Sequence, residues 1–100
     1  MNATPLIKVS EAEVTSPSGY SVKVSRGQLR YVEADGRYLS LDADYVTENK
    51  ILHVYLPSAS TWTVKGRVDH ALTPGEVTLI ADRIVACLRV LDLSSQVHIE

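Results

Sequence analysis

Phenylalanine is missing from the 100 residues, and cysteine, methionine and tryptophan occur once each. One cysteine excludes an internal disulfide and any cysteine-based zinc site. The five glycines, at positions 19, 27, 36, 66 and 75, stand alone, so no glycine-rich loop is present to cradle a phosphate. No apolar run approaches the roughly 18 residues that a membrane-spanning helix needs. Met1-Asn2-Ala3-Thr4-Pro5 lacks the basic and apolar regions of a signal peptide, and a cytoplasmic location is the expectation. Positive charge is not in excess either. Ten basic residues face twelve acidic ones, a net charge of −2, which argues against non-specific binding to a nucleic-acid backbone.

What is present is 45% hydrophobic and 22% charged residues, enough for one core and too little surplus charge for disorder. A single domain over residues 1–100 is expected. The core builders are thirteen Val, eleven Leu and five Tyr, most of them before residue 70. Val and Tyr favour strands, so a sheet should come first and a helix later.

Alternation places one strand over Leu6–Val14 and another over Tyr20–Val24, with Ser16-Pro17-Ser18-Gly19 as the turn between them. A third runs from Gln28 to Glu33. Ala34-Asp35-Gly36 then signals a hairpin. A three-residue loop with Gly36 in the left-handed conformation sets Leu29 opposite Leu41 and Tyr31 opposite Leu39. The other face then carries Arg30 with Ser40, Val32 with Tyr38, and Gln28 with Asp42. This register separates apolar from polar side chains, and a two-residue loop does not. Ile51–Leu56 and Thr61–Val68 read as further strands, with Asp69–Leu72 as a connection.

Thr73-Pro74-Gly75-Glu76 is a helix start: Thr73 caps, Pro74 suits the first helical position, and Glu76 completes a capping box. The helix should reach about Asp92, with Val77, Ile80, Ala81, Ile84, Leu88 and Leu91 on one stripe. Leu79, Ala86 and Val90 form a second, narrower strip. Gln96–Glu100 reads as a short edge strand. The expected class is α+β: an antiparallel sheet of five to six strands with one long helix in the C-terminal half, packed on one face.

Candidate chemistry is sparse. Glu11 with Glu13, and Asp42 with Asp44, are spaced two apart and share a strand face, the arrangement an acid/base pair or a metal uses and also that of any solvated face. His53, His70 and His98 lack the spacing of a helical metal site. Cys87 lies at the edge of the helix stripe, as a small buried hydrophobe would. No catalytic residue, cofactor or metal is expected. The charge distribution is more telling. Residues 1–32 carry net +2, residues 33–48 carry net −4, and the remainder is neutral. Glu33, Asp35, Asp42, Asp44 and Glu48, with Tyr38 and Tyr45 among them, make an acidic, tyrosine-bearing segment suited to a basic protein partner.

The stretch from Ser25 to Glu76 carries a resemblance. It opens with Ser-Arg-Gly-Gln-Leu-Arg-Tyr-Val-Glu-Ala-Asp-Gly-Arg-Tyr-Leu. Val54-Tyr55-Leu56, Ser60-x-Trp62 and Leu72-Thr73-Pro74-Gly75-Glu76 follow, with Ile80 and Arg83-Ile84 in the helix. This order resembles immunity proteins of bacterial contact-dependent growth inhibition and polymorphic toxin systems, over about three quarters of the chain. The resemblance implies a non-enzymatic protein that binds and blocks a cognate toxin domain, often a nuclease. The partner-binding residues read on the acidic segment are Glu33, Asp35, Tyr38, Asp42, Asp44, Tyr45 and Glu48, with Trp62 assigned to the core. No nucleic acid or membrane partner is expected, and a weak homodimer is allowed for. The alternative is a small dimerising adaptor without a toxin partner, joined through a sheet edge or the Leu79 strip.

Overall fold

The computed structural model describes residues 6–100; residues 1–5, read above for signal-peptide features, lie outside the described residues. In chain order the elements are β1 (Ile7–Ser10), β2 (Glu13–Thr15), β3 (Ser21–Ser25), β4 (Gln28–Val32), β5 (Tyr38–Val46), β6 (Ile51–Leu56), β7 (Thr61–Val64), β8 (Arg67–Ala71), α1 (Pro74–Val90) and β9 (Ser94–Ile99). The class is α+β, with a mostly antiparallel sheet and one helix among the described residues.

Alternation builds the centre of the sheet. β4 and β5 pair in the apolar-sorting register, Leu29 with Leu41 and Tyr31 with Leu39. The Glu33 N–H donates to the Arg37 carbonyl at 2.7 Å, which closes a three-residue loop on Gly36 at φ 94°. Leu29, Tyr31, Leu39 and Leu41 are buried beneath the helix, while Arg30, Ser40 and Asp42 face out.

Sheet order is β1-β2-β3-β4-β5-β6-β9, with β7 reaching β5 through Tyr38 and Thr63 and β8 pairing with β7. The nine strands among the described residues exceed the expected five to six, because two stretches that read as single strands are hairpins and the C-terminal stretch read as a short edge strand is a full strand, β9. Leu6–Val14 turns at Glu11-Ala12, so Glu11 and Glu13 do not share a strand; Glu11 instead lies 3.5 Å from Lys8. Thr61–Val68 turns at Lys65-Gly66, both with positive φ (50° and 79°), and β8 occupies most of the expected connection Asp69–Leu72. The sheet is also not wholly antiparallel. β9 runs parallel to β6, Ile51 opposite Ser94 through Leu56 opposite Ile99. A parallel pair needs a long crossover, and β7, β8 and α1 together supply it.

The helix starts as its sequence dictates. Glu76 N–H donates to Thr73 Oγ1 at 3.2 Å, and Thr73 N–H donates to Glu76 Oε1 at 2.9 Å. The chain leaves the helix through Asp92 at φ 59°, with Leu93 N–H donating back to the Leu88 carbonyl at 2.9 Å. Val77, Ile80, Ala81, Ile84, Leu88 and Leu91 are all buried, and Cys87 joins them at 0% exposure. Burial pushes the Cys87 thiol up to about 11, with Arg83 opposing the shift. Trp62 of β7 is fully buried against Tyr31, their ring centroids 6.2 Å apart. Of the second strip, Val90 packs against the core and Leu79 stays 48% exposed.

Candidate functional site: the open face of the sheet

With α1 on one face of the sheet, side chains of opposite parity point to solvent. On β5 these are Tyr38, Ser40, Asp42 and Asp44. On β6 they are His53 and Tyr55, and on β9 Gln96 and His98. Register aligns them in two rows. Asp42, Tyr55 and His98 form one; Asp44, His53 and Gln96 form the next.

The aromatic members of these rows are tied together. His53 Nδ1 and His98 Nε2 lie 2.8 Å apart, so one ring donates and the other accepts. Tyr55 stacks on His98 with ring centroids 5.1 Å apart. Further along the same face, the Arg30 guanidinium lies over the Tyr38 ring at 4.5 Å. None of the ion pairs among the described residues uses Asp42 or Asp44. Two carboxylates spaced two apart on a strand therefore point into water beside a fixed aromatic row. Among the described residues, no group of three or more His, Cys, Asp and Glu is placed to hold a metal ion.

The acidic segment does not fold into one lobe. β5 is nine residues long, so its ends lie roughly 25–30 Å apart. Glu33 and Asp35 sit at one end and Glu48 at the other, in the turn before β6. Glu33 serves the fold: Tyr31 Oη donates to its Oε2 at 3.2 Å, and Arg83 Nη1 lies 3.4 Å from its Oε1. Arg83 also donates to Tyr31 Oη at 2.8 Å and lies over the Tyr20 ring at 4.3 Å, so Glu33 belongs to a clamp that joins the helix to β3 and β4. Asp35 accepts from the Arg37 backbone N–H at 3.1 Å and from its Nε at 2.8 Å, and these bonds hold its carboxyl below the usual carboxylate range. Arg37 in turn covers the Trp62 ring at 4.7 Å.

Tyr45 shares a parity with Leu41 and Ala43 and lies on the helix side, paired with Leu52 and 45% exposed. It borders an open groove with Val24, Ala43 and Leu93; Asp44 reaches the rim of that groove, and Asp42 does not. Of the seven residues read from sequence as partner-binding, the open face thus gathers Tyr38, Asp42 and Asp44. Sequence reasoning left out Tyr55, His53 and His98. The spacing of His53 and Tyr55 already put those two on one strand face; the approach of His98 follows only from the parallel pairing of β9.

Searches against family models, curated proteins and solved structures found no match for this chain. Its geometry therefore has to carry the functional reading. No described helix is long and apolar enough to cross a membrane.

Proposed function

We propose that this chain is an immunity protein that binds a cognate toxin domain through the open face of its sheet. The observation that carries the reading is the pair Asp42 and Asp44, which form no ion pair among the described residues and are flanked in register by Tyr55 and His53. Tyrosine supplies contact area at low entropic cost, and fixed carboxylates steer and orient a cationic partner. The toxin surface bound there presents Lys or Arg to the two carboxylates, as a nuclease cleft does. Inhibition follows from occupancy, without catalysis by the immunity protein. The order of residues from Ser25 to Glu76 points the same way through its resemblance to such proteins.

The test is co-expression with the toxin domain encoded by the adjacent gene. A one-to-one complex that restores growth is the expected result. Asp42→Lys with Asp44→Lys should weaken that complex at least tenfold and leave the thermal midpoint unchanged, because both side chains are exposed. Growth rescue without any loss on charge reversal would move the contact off this face; no complex and no rescue would overturn the immunity assignment.

A further inference from the structure

An open sheet has edges, and an edge strand presents unpaired N–H and C=O groups to any other strand. Two of the outer strands here carry devices that discourage pairing. β1 holds Lys8 and loses register against β2 between Lys8 and Ser10. β8 shows Arg67 and Asp69, and its register against β7 is also broken. β9 has neither protection. It pairs with β6 in unbroken register from Ser94 to Ile99 and contains no Lys, Arg, Asp, Glu or Pro.

Glu100 reveals which groups of β9 point outward. Its N–H donates to the Leu56 carbonyl at 3.2 Å, and its carbonyl accepts from Ser58 N–H at 2.7 Å. Backbone direction alternates along a strand, so His98, Gln96 and Ser94 also bond toward β6. The backbone groups of Ser95, Val97 and Ile99 face away from the sheet. The side chains of these same three residues lie on the helix side, level with Leu52, Val54 and Leu56. Ile99 is 51% exposed there. Beside the other end of β9, an open groove of about 430 Å³ runs between the edge and the flank of α1; Val85 and Leu93 are its apolar lining, and Arg89, Asp92, Ser94 and Ser95 its polar lining.

We propose that β9 pairs antiparallel with β9 of a second copy of this chain, about a two-fold axis at Val97. In that register Val97 faces the second copy's Val97, and Ser95 faces the second copy's Ile99. Each outward-facing residue then meets another, and pairs of this kind exchange two hydrogen bonds, about six in all. A slip of one residue would set side chains against the wrong face and misalign the donors. The arrangement is self-complementary, as a two-fold interface requires. The exposed Ile99 and the groove beside Ser95 lie at matching distances on either side of Val97, so each copy's Ile99 is brought to the other's groove. A foreign strand could make the same hydrogen bonds, but this symmetric match of side chain to groove selects a second copy. The result is one continuous sheet whose open faces lie side by side.

The test is sedimentation velocity on the full chain from about 1 µM to about 1 mM, with amide hydrogen exchange at both ends of the range. A concentration-dependent dimer is expected, with slower exchange at Ser95, Val97 and Ile99 and no change at Gln96 and His98. Ile99→Arg should raise the dimer dissociation constant at least tenfold without lowering the thermal midpoint. A monomer throughout, or a dimer in which those three amides exchange as in the monomer, overturns the proposal. Protection that appears only when another protein is added gives the edge to a foreign strand and overturns it equally. None of these outcomes depends on whether a toxin domain binds the open face.

Discussion

Tyr31 has a fully buried ring and a hydroxyl set between Arg83 and Glu33, and its surroundings set its acid–base behaviour. Burial, opposed first by the hydrogen bond from Arg83, pushes Tyr31 from 10.0 up to about 12, and burial pushes Cys87 from 9.0 up to about 11. Both groups hold their protons more tightly folded than unfolded. The stability they contribute is complete below pH 9 and is lost as pH rises from about 9 to about 12. The thermal midpoint should therefore fall across that window, and Tyr31→Phe together with Cys87→Ala should flatten the fall. Tyr31→Phe should also cost about 1 kcal/mol at neutral pH, because the Arg83 clamp loses its hydroxyl. At this scale the sequence is legible by parity. It assigns Asp42 and Asp44 to one face, and the same count assigns Tyr45 to the other. That Glu33 is held by Arg83 was not legible, since the two residues meet only when the helix docks on the sheet.

Local chemistry specifies some elements completely and others hardly at all. The capping box and the hairpin around Gly36 form as their residues dictate, because each is closed by bonds among neighbours in the chain. The β7–β8 turn was hidden because Lys65 occupies a left-handed position that Asn, Asp or Gly normally fills. Lys65→Asn should stabilise the protein by about 0.5–1 kcal/mol, read as a rise in denaturation midpoint with an unchanged denaturant slope. The two apolar strips of the helix should separate just as clearly. Leu88→Ala, at 0% exposure, should cost about 2–5 kcal/mol, whereas Leu79→Ala, at 48% exposure, should stay within about 0.5 kcal/mol. Equal losses at the two sites would mean that the Leu79 strip is covered in solution.

Across the whole molecule, contacts near in sequence join β1 through β6, β7 reaches back past β6 to β5, and the most distant pairing, β6 with β9, completes the sheet. Closing a long loop before its contacts repay the lost entropy slows that pairing, so it should form after the β3–β4–β5 meander. Leu29→Ala should then slow folding in stopped-flow measurements, while Val97→Ala should mainly speed unfolding. The same late pairing joins His98 to His53 and creates the unprotected edge. The open face and the edge are thus products of one topological step, the return of the chain through β7, β8 and α1.

By itself the sequence determined the class, the register of the central hairpin, the buried stripe of the helix and the outward parity of Asp42 and Asp44. All of these follow from periodicity and from bonds between residues close along the chain. Tertiary structure alone decided that Glu33 is bound to the helix, and that the last strand runs parallel at an open edge and brings His98 to His53. Those outcomes depend on which distant segments meet. Side-chain alternation says which face a residue takes, but not which strand lies beside it.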